Sequence, residues 1–332
     1  MKPLRIAGVG YSLPETIITN EDLTKLYETS DEWIYTRTGI KERRVVSGDQ
    51  NASDLGYEAA KNALAKAQIK PEELDLIVAA SSAPPDLYPA IACNIQAKLG
   101  IETEIPAFDI TAACSGLIYG LQIARGFIGS GIYKKILIVA TDNNSRLVDW
   151  TDRGTSILFG DGAGAMVVTE AEDGIDDVLA IEILSKGSIG EYITFSIPGK
   201  NCPLVEPNTE KPSHIYMNGR EVYKFVVKVV PEYVDKCLAK AGLTAEQVDY
   251  LIPHQANQRI IEAVQQRLGY SDEKVISNIA YYGNTSAASI PIALAEGVET
   301  GKIKLGSTAI MCGFGAGMTW GAAVVRLREG IC

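Results

Sequence analysis

The stretch LAKAQIKPEELDLIV at residues 64–78 returns 174 residues later as LAKAGLTAEQVDYLI at residues 238–252. The two copies align without a gap, and each is typical of a helix end, a short turn, and an aspartate ahead of an apolar strand. A second pair of stretches, at residues 160–168 and 313–325, alternates glycine with small residues before an apolar run. Internal similarity of this kind predicts a chain built from two halves of similar design.

Both halves alternate helical patterns with strand-like apolar runs, such as residues 136–140 and 308–312. Continuous apolar runs are typical of strands that are buried on both faces in a layered α/β fold. The midpoint of the chain falls in a polar, turn-prone stretch at residues 170–174. We therefore predict an α/β protein with halves at residues 1–172 and 173–332, and a long surface loop at residues 197–213.

Composition excludes several classes of protein. The net charge of −10 lacks the basic footprint of a nucleic-acid binder. The six cysteines are scattered, with no C-x-x-C pair and no grouping typical of a zinc site or a disulfide framework. The N-terminal apolar run is too short for a signal peptide, and no stretch approaches the length of a membrane span. We expect a cytoplasmic protein without metal, nucleic-acid partner or membrane partner.

The stretch FDITAACSG at residues 108–116 places Cys114 where an apolar strand meets a helical pattern. A thiol there lies over the free N–H groups of a helix N-terminus, where the macrodipole favours the reactive thiolate. The small residues around it leave room for a substrate carbonyl. On position alone, a buried and inert cysteine is an equal alternative.

Two further side chains and one loop are candidates for chemistry. His254 follows an apolar strand directly and stands where the first half has Ala80, although a structural histidine is the alternative. Asn284 lies in a polar loop before a helical pattern and is also a plausible turn residue or N-cap. The glycine-rich stretch at residues 313–317 either directs N–H groups at an oxyanion or forms a tight turn. The other glycine clusters lack a dinucleotide or phosphate fingerprint, so we expect no nicotinamide or ATP site.

Five separated motifs, in this order, resemble those of the β-ketoacyl-acyl-carrier-protein synthase III family. They are SDEWIYTRTGI at residues 30–40, TAACSG at 111–116, PHQAN at 253–257, YGNTS at 282–286 and GFGAGMTWG at 313–321. The resemblance spans essentially the whole chain. It implies a thiolase-like fold of two duplicated halves in α-β-α-β-α layers, usually a homodimer. The papain-like hydrolases, which use Cys, His and Asn in the same chain order, are a distant alternative, because this sequence lacks their Cys-Gly-Ser-Cys-Trp neighbourhood and the duplication has no role in such an enzyme.

The resemblance implies a mechanism without a cofactor. Cys114 attacks an acyl-CoA thioester, usually acetyl-CoA, while the N–H groups of Cys114 and Ala316 hold the oxyanion. Malonyl-acyl-carrier protein then loses carbon dioxide, and the carbanion condenses with the acyl group to initiate fatty-acid synthesis. His254 and Asn284 donate hydrogen bonds to the thioester oxygen, since asparagine cannot titrate and charge stabilisation suits this pair better than proton abstraction.

The same resemblance assigns the surrounding surfaces. The residues implied to bind CoA are Thr29, Trp33, Arg37, Arg153, Gly219 and Asn257. The residues implied to dock the acidic carrier protein are Lys224, Gln255, Ala256, Asn257, Gln258 and Arg259. The acyl pocket is expected to contain Tyr88, Leu158 and Phe314, with Tyr88 projecting into the pocket of a partner subunit. A priming synthase of a polyketide or branched-chain pathway, or an acyltransferase that does not decarboxylate, remains an alternative on the same fold.

Overall fold

The computed structural model describes residues 1–197, 199–209, 211 and 213–331. Pro198, Glu210 and Pro212 fall within the predicted surface loop, and they lie outside the described residues together with Cys332. The described residues at 199–209, 211 and 213 are exposed and belong to no helix or strand, as the sequence predicts.

The regular elements of the first half come in this order: β1 (Leu4–Ser12), β2 (Ile17–Thr19), α1 (Asn20–Leu23), α2 (Asp31–Thr38), β3 (Glu42–Arg44), α3 (Ala52–Ala67), β4 (Leu76–Ala80), α4 (Ile91–Lys98), β5 (Ala107–Ile110), α5 (Gly116–Ser130), β6 (Lys135–Asn143) and β7 (Asp161–Glu170). The second half continues with β8 (Val178–Ser185), β9 (Ile193–Thr194), β10 (Tyr216–Met217), α6 (Gly219–Ala241), β11 (Tyr250–Pro253), α7 (Gln258–Leu268), α8 (Ile279–Tyr282), α9 (Ser289–Glu299), β12 (Ser307–Gly315) and β13 (Thr319–Leu327).

The two main sheets share one strand order and one set of strand directions. The first sheet runs β1-β7-β6-β4-β5, and the second runs β8-β13-β12-β11. In each sheet the first three strands pair antiparallel and the fourth joins parallel. Where β5 extends the first sheet, Val275 forms a parallel bridge to Leu251 of β11 in the second. This correspondence confirms the predicted duplication.

The repeated aspartate of the two aligned stretches has the same task in both halves. Asp75 accepts a hydrogen bond from the N–H of Lys135 at 2.9 Å, and Asp249 accepts one from the N–H of Thr308 at 2.8 Å. Each aspartate N–H also donates to the carbonyl of the same partner residue. The carboxylate therefore fixes the start of one strand against the start of its parallel neighbour, which sets the register of β4 on β6 and of β11 on β12.

The glycine-rich stretches of the second aligned pair are not structural equivalents, so that part of the repeat prediction is wrong. Residues 161–164 are the first residues of β7, whereas residues 313–315 end β12 and residues 316–318 form the turn to β13. The cause is a long connection at residues 144–160 between β6 and β7, where the second half has only this turn. The strands that follow, β7 and β13, do correspond.

Five layers follow from the packing of helices on these sheets. Helices α3 and α4 cover the outer face of the first sheet, α6 covers the outer face of the second with α7 packed beside it, and α5 and α9 lie between the sheets. One hydrophobic core joins Val78 and Leu117 of the first half to Ile252 and Ile290 of the second. Sheet membership changes between β7 and β8, so we keep the boundary at residues 172 and 173 as a proposal.

None of the helices in the described part of the chain combines the length and the apolar character that crossing a membrane requires.

Candidate active site

A cavity of about 950 Å³ opens where the carboxyl ends of parallel strands meet the first turns of α5 and α9. Sites in open α/β sheets form beyond the carboxyl ends of the strands, so this is the expected edge. Cys114, His254 and Asn284 all line the cavity, as do Phe314 and Ala316. The fold therefore brings the three side chains predicted to carry chemistry to one space, although they are far apart in the sequence.

Cys114 lies in a single 3₁₀ turn, Ala113–Ser115, between β5 and the first residue of α5. Ala113 adopts a φ of 46°, which a residue with a Cβ rarely takes, and such strain is concentrated at functional sites. Gly315, at the end of β12, packs so closely that a Cβ on it would lie 2.5 Å from the nitrogen of Cys114. The glycine-rich turn that carries Ala316 thus adjoins the Cys114 N–H, as the predicted oxyanion site requires.

Burial acts on the acidity of the Cys114 thiol. The residue is half-buried, and enclosure of the sulfur raises its pKa from the ordinary value of 9.0 to about 12, with a smaller opposing effect from the Ser286 hydroxyl at 3.3 Å. A helix N-terminus stabilises an anion by at most about 2 kcal/mol, which corresponds to about 1.5 in pKa. Burial therefore opposes the effect of the helix N-terminus on this thiol.

His254 follows the last residue of β11 and is 2 % exposed. Its Nδ1 lies 2.7 Å from the Ser289 hydroxyl, which also accepts a hydrogen bond from the N–H of Gln255. The hydroxyl is able to donate its proton to Nδ1, in which case the ring proton is on Nε2. Burial lowers the pKa of His254 to about 3, which favours the neutral ring. Phe314 contacts it edge to face, with the ring centroids 5.3 Å apart.

Asn284 is held by the loop that precedes α9. Its Oδ1 accepts a hydrogen bond from the N–H of Ser286 at 2.8 Å, and its own N–H donates to the carbonyl of Leu158. Once Oδ1 is committed to the backbone, the Nδ2 end of the amide is the end available for a ligand. Asn284 is thus a turn residue that also lines the cavity.

Sequence reasoning missed three polar side chains that support this constellation. Ser286 and Ser289 contact Cys114 and His254 respectively, and the carboxylate of Asp142 lies behind Ser286 at the end of β6. The two serines stand in the YGNTS loop and just after it, without a local pattern that assigns them a role. Asp142 lies near the carboxyl end of β6, the edge of the sheet where sites form, but its sequence neighbours do not indicate which groups it contacts.

The residues implied to bind the CoA nucleotide meet around one indole. The guanidinium groups of Arg37 and Arg153 lie 4.3 Å and 4.6 Å from the centre of a Trp33 ring. Arg153 also donates to the carbonyl of Glu28 at 2.9 Å. Two cations on one aromatic ring form a site where phosphate pairing and stacking on a base combine.

The remaining predicted CoA contacts are spread along the approach to the cavity. Gly219, the first residue of α6, and Asn257, the N-cap of α7, both line the cavity. Asn257 Nδ2 donates to the carbonyl of Arg37 at 3.1 Å and so ties α7 to α2. Thr29 Oγ1 is buried, and within the described residues it has no hydrogen-bond partner.

Two residues assigned to carrier-protein docking are not on the surface, so this assignment is wrong for them. Gln255 is 1 % exposed, and its amide donates to the carbonyls of Pro253 and Ile276 while Oε1 accepts from the Ser277 hydroxyl. Ala256 is also buried and lines the cavity. A side chain whose hydrogen bonds are all made inside the fold cannot contact a docking protein.

The other assigned docking residues lie near the cavity mouth. Lys224 is exposed on α6. Its ammonium group pairs with Glu221 at 2.6 Å, and the side chain remains accessible to solvent. Arg259 is exposed at the start of α7, and its guanidinium donates to the carbonyl of Thr36 at 2.8 Å. Gln258 beside it is half-buried. Lys224 and Arg259 are thus two exposed basic side chains on neighbouring helices.

The residues assigned to the acyl pocket divide into two groups. Leu158 and Phe314 line the cavity, both of them buried. Tyr88 is 84 % exposed and is absent from the cavity lining of its own chain, although its neighbour Leu87 is part of that lining. Any contribution of Tyr88 to a pocket therefore requires a second copy of the chain.

Comparison with known proteins gives one consistent answer. Models of 3-oxoacyl-[acyl-carrier-protein] synthase III and of its C-terminal part match residues 108–187 and 238–327. The β-ketoacyl-[acyl-carrier-protein] synthase III of Synechocystis sp. is 48 % identical over 326 residues, 97 % of this chain and 98 % of its own. The crystal structure of 3-oxoacyl-[acyl-carrier-protein] synthase III from Aquifex aeolicus VF5 is 46 % identical with a TM-score of 0.89, over 97 % of this chain and 99 % of that one.

A more distant structure shares the fold. The priming β-ketosynthase of the R1128 polyketide pathway superposes with a TM-score of 0.90 at 32 % identity, over 99 % of this chain and 97 % of its own. Near-full-length relatives approach half identity, and both family models match in the regions that hold the thiol and the imidazole. The chain therefore belongs to the 3-oxoacyl-[acyl-carrier-protein] synthase III family of condensing enzymes.

Proposed function

We propose that this condensing enzyme initiates fatty-acid synthesis by joining an acyl-CoA primer, acetyl-CoA in the first instance, to malonyl-acyl-carrier protein through an acyl-enzyme on Cys114. The observation that carries the proposal is the meeting of one thiol with two uncharged donors, His254 and Asn284, in a single cavity. The reaction needs no cofactor, because the CoA thioester already supplies an activated acyl group. The polyketide relative is less similar than the fatty-acid relatives, which favours this pathway.

The first step is acyl transfer to sulfur. The thiol attacks the carbonyl carbon of the acyl-CoA, and the N–H groups of Cys114 and Ala316 hold the oxyanion, because Gly315 brings the two backbone segments together. Loss of one such donor costs about 3 kcal/mol of transition-state stabilisation. Only the backbone donates, so alanine at position 316 serves this purpose as well as glycine.

The second step is decarboxylation of the malonyl group. Breaking the bond to carbon dioxide places negative charge on the thioester oxygen, which two fixed donors stabilise. Neutral Nε2–H of His254 and Nδ2–H of Asn284 are such donors, and the low pKa of the buried imidazole makes it a poor base. The carbanion then attacks the acyl group on Cys114 and releases the β-ketoacyl product.

The surfaces around the cavity complete the proposal. CoA lies with its nucleotide at Trp33, Arg37 and Arg153, while the carrier protein docks on the side of Lys224 and Arg259. The chain works as a cytoplasmic homodimer in which Tyr88 of each copy closes the acyl pocket of the other. The exposure of this large side chain supports an interface at that position.

Mass spectrometry of the carrier protein tests the function directly. With acetyl-CoA and malonyl-acyl-carrier protein, the chain should convert malonyl-carrier to acetoacetyl-carrier and release one carbon dioxide per product. Cys114→Ser should abolish product formation and serves as the control for background decarboxylation. Acyl transfer without carbon dioxide release would support the simple acyltransferase instead, and a preference for longer or branched primers would redirect the pathway assignment.

A further inference from the structure

Asp142 is a buried carboxylate that the steps described so far do not use. It is 0 % exposed at the end of β6, and it accepts hydrogen bonds from Ser81 Oγ at 3.1 Å and from the N–H groups of Ser82, Ala83 and Ala287 at 2.6, 3.0 and 3.2 Å. Among the ion pairs of the described residues, none includes Asp142. A buried carboxylate held by neutral donors beside a reactive cavity is a candidate for proton transfer.

Ser286 connects this carboxylate to the nucleophile. The Cys114 sulfur lies 3.3 Å from Ser286 Oγ and is oriented to donate its proton to it. The Ser286 hydroxyl lowers the pKa of Asp142, and the N–H of the next residue, Ala287, donates to the Asp142 carboxylate at 3.2 Å. Ser286 adopts a φ of 53°, an unfavourable conformation for a residue with a Cβ. The unfavourable backbone conformation thus occurs at Ser286, whose hydroxyl lies between the Cys114 thiol and the Asp142 carboxylate.

The other titratable group near the thiol is a poor proton acceptor. Burial holds the His254 pKa near 3, and Asn284 does not titrate. Asp142 is the charged group whose field acts on Cys114, and burial raises its own pKa to about 6. A thiol with a pKa of about 12 needs a partner that removes its proton as it attacks, because a free thiolate is scarce at neutral pH.

We propose that Asp142 accepts the Cys114 proton through the Ser286 hydroxyl during acyl transfer. As the Cys114 sulfur forms its bond to the thioester carbonyl carbon, the thiol proton passes to Ser286 Oγ, and the Ser286 proton passes to the Asp142 carboxylate. When the bond between the carbonyl carbon and the CoA sulfur breaks, the proton returns by the same route to the leaving sulfur. CoA departs as the free thiol, and Asp142 is a carboxylate again.

A purely structural role for Asp142 is the competing explanation. The carboxylate also caps the 3₁₀ turn Ser286–Ala288 and the backbone at residues 82–83. In the second half, β12 takes the place that β6 has in the first. The end of β12 has no carboxylate; it has Gly315, which packs against Cys114. The duplicated fold therefore does not require an acid there, which favours a specific role at the thiol.

Alkylation of Cys114 by iodoacetamide tests the relay without any acyl donor. In the unsubstituted protein the rate should fall as pH drops below about 6, where Asp142 becomes protonated. In Ser286→Ala the rate at pH 7.5 should fall at least about tenfold, and this acidic limb should disappear. Ser145→Ala is the matched control, because Ser145 donates to a different buried carboxylate, Asp161, at 2.6 Å. It should react within about twofold of the unsubstituted protein.

A second variant keeps the test decisive if Asp142 also supports folding. Asp142→Asn should reproduce the Ser286→Ala profile, with circular dichroism and a melting curve to verify the fold, and Asp161→Asn as its control. A lowered Tm in Asp142→Asn together with normal reactivity in Ser286→Ala would overturn the relay and leave only the cap. This inference rests on the proposed function, yet the alkylation reports on the thiol alone. Loss of condensation with an intact alkylation profile would count against the proposed function and not against the relay.

Discussion

Ser289 is the side chain through which the imidazole can be disturbed most selectively. Its hydroxyl is 1 % exposed, lies 2.7 Å from His254 Nδ1 and accepts the N–H of Gln255 at 3.3 Å. Ser289→Ala removes the hydrogen bond at Nδ1 that orients the imidazole ring, while the volume of the site changes little. A buried hydrogen bond of this kind contributes about 1–2 kcal/mol, so decarboxylation should slow about 5- to 30-fold.

Single-turnover kinetics separate the two chemical steps for this variant. Acylation is followed by release of CoA, and decarboxylation by carbon dioxide released from malonyl-acyl-carrier protein on the acylated enzyme. We expect acylation within about twofold of the unsubstituted rate, because the oxyanion donors are backbone N–H groups. Ser277→Ala is the control, since that hydroxyl bonds Gln255 at 2.9 Å without touching the ring. Equal losses in both steps, or equal effects of the two variants, would refute the role given to Ser289.

Three further predictions follow from the same geometry. His254→Asn should make the free energy of unfolding less dependent on acid pH. The pKa of His254 is about 3 in the folded protein and 6.5 in the unfolded chain, so the native state loses stability as the pH falls from about 6.5 toward 3. Between pH 7.5 and 5, urea unfolding should therefore show about 2 kcal/mol more loss in the unsubstituted protein than in the variant, and parallel losses would contradict the buried neutral ring. Gly315→Ala should lower the Tm or the alkylation rate of Cys114, because the alanine Cβ would lie 2.5 Å from the Cys114 nitrogen. Such overpacking costs about 1–3 kcal/mol. An unchanged Tm together with an unchanged alkylation rate would count against this close approach. Trp33→Ala should raise KM for acetyl-CoA about 5- to 100-fold while KM for acetyl-pantetheine stays unchanged, since only CoA carries the base that stacks; equal changes for both would remove Trp33 from the nucleotide site.

The sequence predicts the parts of this molecule that have local signals. Cys114 and His254 each lie just beyond the carboxyl end of an apolar strand, and the aligned stretches at residues 64–78 and 238–252 predict the duplicated helix-turn-strand unit. Asp142 is different, because its hydrogen-bond donors lie 60 positions before it, at Ser82, and 145 positions after it, at Ala287. No local pattern reports contacts over such separations.

For Gln255 the local sequence pattern predicts the wrong environment. It stands beside His254 in a motif and ahead of a helix that begins at Gln258, so a surface position is a natural expectation. Its side chain instead turns inward and bonds two backbone carbonyls. The rise in the pKa of the Cys114 thiol also has no local signal in the sequence, because it depends on how the rest of the chain encloses the sulfur.

Mass spectrometry of the Cys114 peptide tests the central claim most directly. After incubation with acetyl-CoA, the account predicts one acetyl group on this cysteine, stable until malonyl-acyl-carrier protein is added and then lost together with carbon dioxide release. The exposed Cys202 serves as an internal control and should remain unmodified. Absence of an acetyl adduct on Cys114, or an adduct that malonyl-acyl-carrier protein does not discharge, would contradict the account.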